Sequence, residues 1–260
     1  MKSFDDVAIE WHGHVVVVEI RRPPLNFFDV RLIEQIAECF ESLEQDSHCR
    51  AIVLAAQGKA FCAGADFSSN GSDLFKTESD NSAITLYKAA ARLYACAKPV
   101  VGAIHGAAIG GGLGLSLVPD FRVVCPEARF AANFVKLGIH PGFGISLMLP
   151  RLIGQQRANL MLLTGRRIKG EEALEYGLAD MLVPADQVRA QAIALAAEIA
   201  QCAPLAVEST RATLRHGLVE ELRHRLEHEF AEQVWLAKTT DHKEGMAAVT
   251  ERRDGNFTRS

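Results

Sequence analysis

An α/β fold is predicted by three features of the 260-residue chain. Short apolar runs of strand length punctuate its first half, amphipathic stretches of helical spacing fall between them, and the sequence after about residue 140 turns almost wholly helical.

Taken in order, residues 7–20 read as two strands around His12-Gly13, the second nearly all valine (Val15 to Val18), as a strand buried on both faces requires. Asp29 is placed to cap a helix on which Val30, Ile33, Ala37, Phe40 and Leu43 recur at helical spacing. Ala51 to Ala56 is a strand. The following KAFCAGAD is rich in glycine and alanine and reads as a loop rather than another core strand. The polar stretch from Phe67 to Ser82 has the length of a functional loop and is expected to act as a lid. A helix then runs from Ser82 past Tyr87 and Tyr94 to Lys98-Pro99, and a strand VVGAI follows. Short strands at Phe121–Cys125 and Arg129–Ala131 flank a Pro126-Glu127 turn.

Later, helices are expected at Gln155–Thr164 and Gly170–Tyr176, each stopped by a glycine, with one last strand at Ala179–Val183. Helices over 186–201, 205–216 and 218–238 follow. The last carries a stripe of Leu218, Leu222, Leu226, Phe230 and Val234 that needs a packing partner. Asp241 and Glu244 predict a capping box for a final helix.

Composition narrows the function classes. With 28 Lys and Arg against 32 Asp and Glu, the formal charge is −4, and no basic block offers the footprint of a nucleic-acid binder. Six cysteines scattered singly, and an N-terminus with Asp5-Asp6 where an export signal needs an apolar run, predict a reduced, cytoplasmic protein. The uncharged stretch from Val100 to Val118 approaches the length of a membrane span. It holds six glycines and His105 between Pro99 and Pro119, so a strand, a glycine turn and a buried helix are expected there, and no membrane association.

Two glycine-bearing loops carry the chemistry. Gly110-Gly111-Gly112 stands between a buried strand and an apolar helix, and FCAGAD (Phe61 to Asp66) also follows a strand. The glycine run lacks the Gly-Lys-Ser/Thr of a P-loop, the register of a dinucleotide fingerprint and a Gly-x-Ser-x-Gly elbow. Alone, it reads as close helix–strand packing rather than as a site. Together, the two loops can bring two backbone N–H groups onto one developing oxyanion. His224-Arg225-Leu226-Glu227-His228 matches a zinc-protease pattern, but it flanks the apolar stripe and has little chain after it for a third ligand, so no metal is expected.

KAFCAGAD, KPVVGAIHGAAIGGGLGLSL, LGIHPGFG and DHKEGMAAVTERRDGNF, in that order along essentially the whole chain, resemble the crotonase superfamily, the enoyl-CoA hydratase/isomerase group. The resemblance implies a spiral of repeated strand–strand–helix turns over residues 1–200 and a helical C-terminal trimerisation region over 201–260, in one continuous family domain that assembles as a trimer or dimer of trimers. It implies an acyl-CoA or enoyl-CoA substrate, no cofactor beyond the coenzyme A of that thioester, and an oxyanion hole made by the amides of Ala65 and Gly111.

Coenzyme A and substrate contacts are implied at Asn26, Phe27, Phe28, Lys59, Ala63, Gly64, Asp66, Gly110, Gly114 and Phe134, with Lys59 meeting phosphate and Phe27 or Phe28 flanking adenine. The positions that match the two water-activating glutamates of family hydratases are Gly114 and Phe134, so both carboxylates are missing here. His140, in the turn at the site's rim, is the substitute acid/base candidate; the alternative is that it packs within its own loop. Asp73 and Glu78 in the polar loop, Asn133 beside the lost position, and Tyr87 and Tyr94 are further polar groups with structural readings at least as strong. The implied activity is that of an enoyl-CoA lyase or isomerase, set against a non-catalytic acyl-CoA binding protein or a decarboxylase or thioester hydrolase with another acid/base.

Overall fold

The computed structural model describes residues 4–65 and 82–260. The chain opens with β1 (Val7–His12), β2 (Val15–Ile20), α1 (Val30–Glu44), β3 (Ala51–Ala56), β4 (Ala60–Cys62) and α2 (Ser82–Ala95). It continues with β5 (Val100–Ile104), β6 (Ala107–Ile109), α3 (Gly111–Ser116), β7 (Phe121–Val124) and β8 (Arg129–Ala131). After a 3-10 turn at Asn133–Leu137 come α4 (Ile145–Ile153), α5 (Gln155–Thr164), β9 (Arg167–Lys169), α6 (Gly170–Tyr176) and β10 (Met181–Leu182). Four helices close the chain: α7 (Val188–Ala200), α8 (Pro204–Leu214), α9 (Leu218–Leu236) and α10 (Thr240–Glu251).

Two sheets result. A six-stranded sheet has the order β1-β2-β3-β5-β7-β10 and a four-stranded sheet the order β4-β6-β8-β9. The successive pairs β3/β4, β5/β6 and β7/β8 each place their first strand in the large sheet and their second in the small one, so the chain advances as a spiral of strand–strand turns. Within each sheet these strands run parallel; only β1 on β2 and β9 on β8 are antiparallel. Val15 to Val18 are all buried, as their unbroken apolarity predicts.

The Asp29 carboxylate accepts from Leu32 N–H at 2.8 Å, capping α1, whose Leu32, Ile33, Ile36, Phe40 and Leu43 face the core. Each such side chain contributes roughly 1.5–3 kcal/mol by leaving water. Asp120 accepts from Val100 N–H and pairs with Arg211 and Arg215, which fastens α8 to the edge where β5 begins.

Several expectations need correction. KAFC is not the start of a loop: Ala60–Cys62 is a fully buried strand, because the small sheet supplies pairing partners that local composition does not reveal. Residues 100–118 form two strands before the helix, turning at His105-Gly106, with His105 Nε2 2.9 Å from Gly58 O. The last strand is only two residues, and α4, which begins after Gly144 and contains Pro150, and β9 were not anticipated. Thr239, not Asp241, caps α10 by accepting from His242 N–H. Asp241 instead accepts from Thr258 and Arg259 N–H, and Glu244 binds Arg253 and Asn256 N–H. The lid expected over 67–82 lies almost wholly outside the described residues. No single helix among the described residues is long and apolar enough to cross a membrane.

The small sheet positions α3 by direct contact. A Cβ at Gly112 would stand 2.0 Å from the Cys62 carbonyl oxygen, so only glycine lets α3 lie against the end of β4. Gly112→Ala must therefore push the helix away, and a loss of about 3 kcal/mol or more is expected in urea unfolding. A loss below about 1 kcal/mol would show that α3 yields without strain.

Candidate functional site

The three parallel strands β4, β6 and β8 lie side by side, and the residues leaving their C-terminal ends meet at one pocket. Ala63, Gly64 and Ala65 follow β4; Gly110 and Gly111 follow β6; Asn133 and Phe134 follow β8. Carboxyl ends of parallel strands are a common ligand position in α/β folds. The pocket is a small cleft with a cavity volume of about 80 Å³.

Two backbone donors lie at the wall of this space. Gly110 N–H is spent on Ala131 O at 2.9 Å, but neither Ala65 N–H nor Gly111 N–H has a backbone acceptor among the described residues. Gly111 is the first residue of α3, so its N–H also points out of the positive end of a short helix. Both residues are partly exposed at the pocket wall. The pair expected from the sequence is therefore brought to one wall.

The remaining walls are apolar. Phe28 and Phe143 meet edge to face with centroids 5.0 Å apart, and Phe134, Leu137 and Ile139 complete that side. A Cβ at Gly114 would lie 2.8 Å from the Phe143 ring, so Phe143 fills the space into which a side chain from that position would project. Phe134 is itself buried pocket lining. No carboxylate or imidazole is among the described lining residues; the polar side chains are those of Asn133, Tyr87 and Gln233.

Tyr87 from α2 donates its phenolic proton to Gln233 Oε1 at 2.5 Å, and the Phe143 N–H points at its oxygen. Burial, with the Glu229 charge nearby, holds the phenol protonated well above its ordinary range. Gln233 Nε2 in turn donates to His140 O at 2.8 Å. One helical turn back on α9, the fully buried Glu229 accepts from Gly144 N–H (2.7 Å), Ser146 N–H (3.0 Å) and Ser146 Oγ (2.6 Å). Burial pushes the Glu229 carboxyl up to about 7, against the pull of those donors and of Arg225. The sequence reading missed Glu229 and Gln233. Their signal was two polar residues four apart on a helix whose earlier turns bury leucines.

Other expected residues fall elsewhere. His140 has its Nδ1 2.7 Å from Pro141 O and its ring edge-on to His228, and it lines an outer groove with Trp235 and Phe257, as the packing alternative expects. Among the described contacts, only its carbonyl joins the pocket network. Asn26 is buried; both its amide protons go to Gln57 O and Ala60 O and its Oδ1 accepts from Arg22 N–H, so its side chain braces the loop. Phe28 is buried pocket wall, while Phe27 is half-buried and Lys59 is exposed on the β3–β4 turn. Asp66, Asp73 and Glu78 lie outside the described residues. Tyr94 is buried with its hydroxyl 3.5 Å from Gly114 O. His224 is exposed beside Glu220, and no group of three His, Cys, Asp or Glu among the described residues is placed to hold a metal.

The model of the enoyl-CoA hydratase/isomerase family matches residues 10–260. The short-chain-enoyl-CoA hydratase of Clostridium acetobutylicum is 33% identical over 96% of this chain and 97% of its own length. The mitochondrial Delta(3,5)-Delta(2,4)-dienoyl-CoA isomerase of Homo sapiens is 32% identical over 93% of this chain and 77% of its own. Among solved structures, the carnitinyl-CoA hydratase of Mycobacterium avium superposes with a TM-score of 0.87 at 27% identity, covering 99% of this chain and 100% of that one.

Glu229 gives the site region a pH signature. A carboxyl that titrates at 4.5 unfolded and about 7 folded binds more protons in the native state between those values. The associated stability is fully present below pH 4.5 and is lost as pH rises through about 7. Wild-type stability should fall by on the order of 3 kcal/mol across that window, and Glu229→Gln should flatten the profile. Parallel profiles for the two proteins in urea titrations would refute this assignment.

Proposed function

The chain belongs to the enoyl-CoA hydratase/isomerase family, and from that premise we propose that it binds an acyl- or enoyl-CoA thioester with the carbonyl oxygen between the N–H groups of Ala65 and Gly111. The observation that carries this reading is the arrival of two backbone donors without backbone acceptors at one apolar pocket, from the ends of adjacent parallel strands. As an enolate-like oxyanion develops on the thioester, both hydrogen bonds strengthen, each contributing roughly 2.7–4 kcal/mol to lowering the barrier. The apolar walls exclude water and raise the worth of those donors.

Proton transfer sets the reaction within the family. In this reading Gly114 and Phe134 supply no carboxylate, and Tyr87 is the one titratable side chain of the described lining, with its proton committed to Gln233. Neutral phenol is no base near pH 7. Hydration through a pair of pocket glutamates is therefore disfavoured, and enolate chemistry on a polarised thioester is the preferred activity. The lack of a carboxylate in that lining supports a second reading, acyl-CoA binding without turnover, and leaves room for decarboxylation or thioester hydrolysis. The proposal includes assembly as a trimer or paired trimers, cytoplasmic location in keeping with six free cysteines, and no cofactor beyond the coenzyme A of the substrate.

Infrared difference spectra with carbonyl-labelled crotonyl-CoA test the oxyanion contact without needing turnover. The bound carbonyl stretch should move to lower frequency, and Ala65→Pro, which deletes one donor, should reverse much of that shift; an unshifted carbonyl overturns the assignment. A panel of CoA thioesters followed by mass spectrometry then separates the reactions. With a turned-over substrate, Ala65→Pro should cost about 100–1000-fold in kcat. Tight binding of the panel with no product favours the binding protein, and efficient crotonyl-CoA hydration overturns the reading of Gly114 and Phe134.

A further inference from the structure

Tyr87 faces two cavities. One is the apolar pocket behind Ala65 and Gly111; the other lies between α1, α2 and α9, has a cavity volume of about 640 Å³, and is lined by Ala91, Leu226 and Phe230 beneath a rim of mixed charge in which Lys88, Arg92 and Arg223 stand among Glu41, Glu44 and Glu227. The outer side of the Tyr87 ring meets Phe230 at 5.8 Å between centroids, and the inner side forms the pocket's end. The ring is pinned there: its oxygen donates to Gln233 and faces the Phe143 N–H, and Gln233 is held by His140 O. Gly142 lies under the pin, where a Cβ would stand 2.5 Å from the phenolic oxygen and 2.6 Å from Gln233 Nε2. The partition is thus a single aromatic ring locked by hydrogen bonds, with apolar surface on both sides.

We propose that Tyr87 is the specificity-determining residue for acyl length, a partition that ends the acyl pocket and closes it off from the cavity between α1, α2 and α9. The inference rests on the thioester reading given above. A short acyl chain fits in front of the ring. A longer one runs up against the ring, beyond which further apolar surface begins. Replacing the ring by a small side chain joins the two cavities and lets added methylenes become buried.

The test is calorimetric binding of butyryl-, octanoyl- and palmitoyl-CoA to wild type, Tyr87→Ala, Tyr87→Leu and Tyr87→Phe, each checked for folding by thermal melting. The Leu variant serves if the Ala variant does not fold. Butanol and dodecanol are titrated in parallel as apolar probes that need no thioester contact. The palmitoyl-to-butyryl affinity ratio should rise at least about tenfold in the Ala or Leu variant, which burial of about two methylenes supplies. It should stay near the wild-type ratio in Tyr87→Phe, which keeps the ring. Thioester binding with a ratio unmoved in the small variants overturns the partition while leaving the thioester reading intact. A raised dodecanol-to-butanol ratio in a protein that binds no CoA ester supports the partition and overturns the thioester reading. A protein that binds no CoA ester and whose dodecanol-to-butanol ratio is unmoved in the small variants overturns both.

Discussion

The close approach of α3 to the end of β4 is the constraint on which the site depends. Gly112 sits so near the Cys62 carbonyl that the helix start and the Ala63-Gly64-Ala65 segment are forced onto one wall. Parallel pairing of β4 with β6 sets the direction from which both segments emerge, and glycine at the contact sets their separation. Backbone donors cannot be repositioned by rotamers as side chains can. Their convergence therefore has to be built into the packing of the sheet and the helix, and the polar part of the pocket inherits the rigidity of the core beneath it.

The opposite wall has a different origin. It comes from the loop between the 3-10 turn and α4, and that loop is held from outside by α9. Glu229 satisfies two backbone N–H groups and one hydroxyl of residues 144–146, while Gln233 ties Tyr87 to the carbonyl of His140. A C-terminal helix thus shapes a pocket whose donors belong to the N-terminal half. The polar groups involved are buried and bonded, so the network specifies one arrangement of the loop, and Phe143 is delivered into the space in front of Gly114 as a result.

Much of this was legible from the chain. The hairpin, α1 with its Asp29 cap, the glycine-stopped α5 and α6, and the two donor loops follow from local chemistry, and local chemistry survives folding at those places. The strand β4 was not legible, because alanine and glycine next to a loop motif carry little strand propensity and its stability comes from partners far along the chain. The stripe on α9 was followed in steps of four, which drift around a helix of 3.6 residues per turn and lead to Phe230 and Val234. The buried face steps back at Glu229 and Gln233 instead. A polarity-based reading discards such residues from a core face, and so the most informative polar pair near the pocket went unseen. His140 shows the complementary limit: a sequence gives a residue's place in a loop but not the side of the loop from which its ring projects, here toward His228.

Cys62, whose carbonyl marks the contact with α3, also bears on the chemical safety of the pocket. A thioester is an acyl donor, and a nearby thiolate would accept its acyl group and cap the protein covalently. Here the thiol is fully buried and burial pushes it up to about 12, so it stays protonated at neutral pH. The packing that holds the donors in place thus also keeps the neighbouring sulfur protonated, and under the proposed thioester function that protects it from self-acylation.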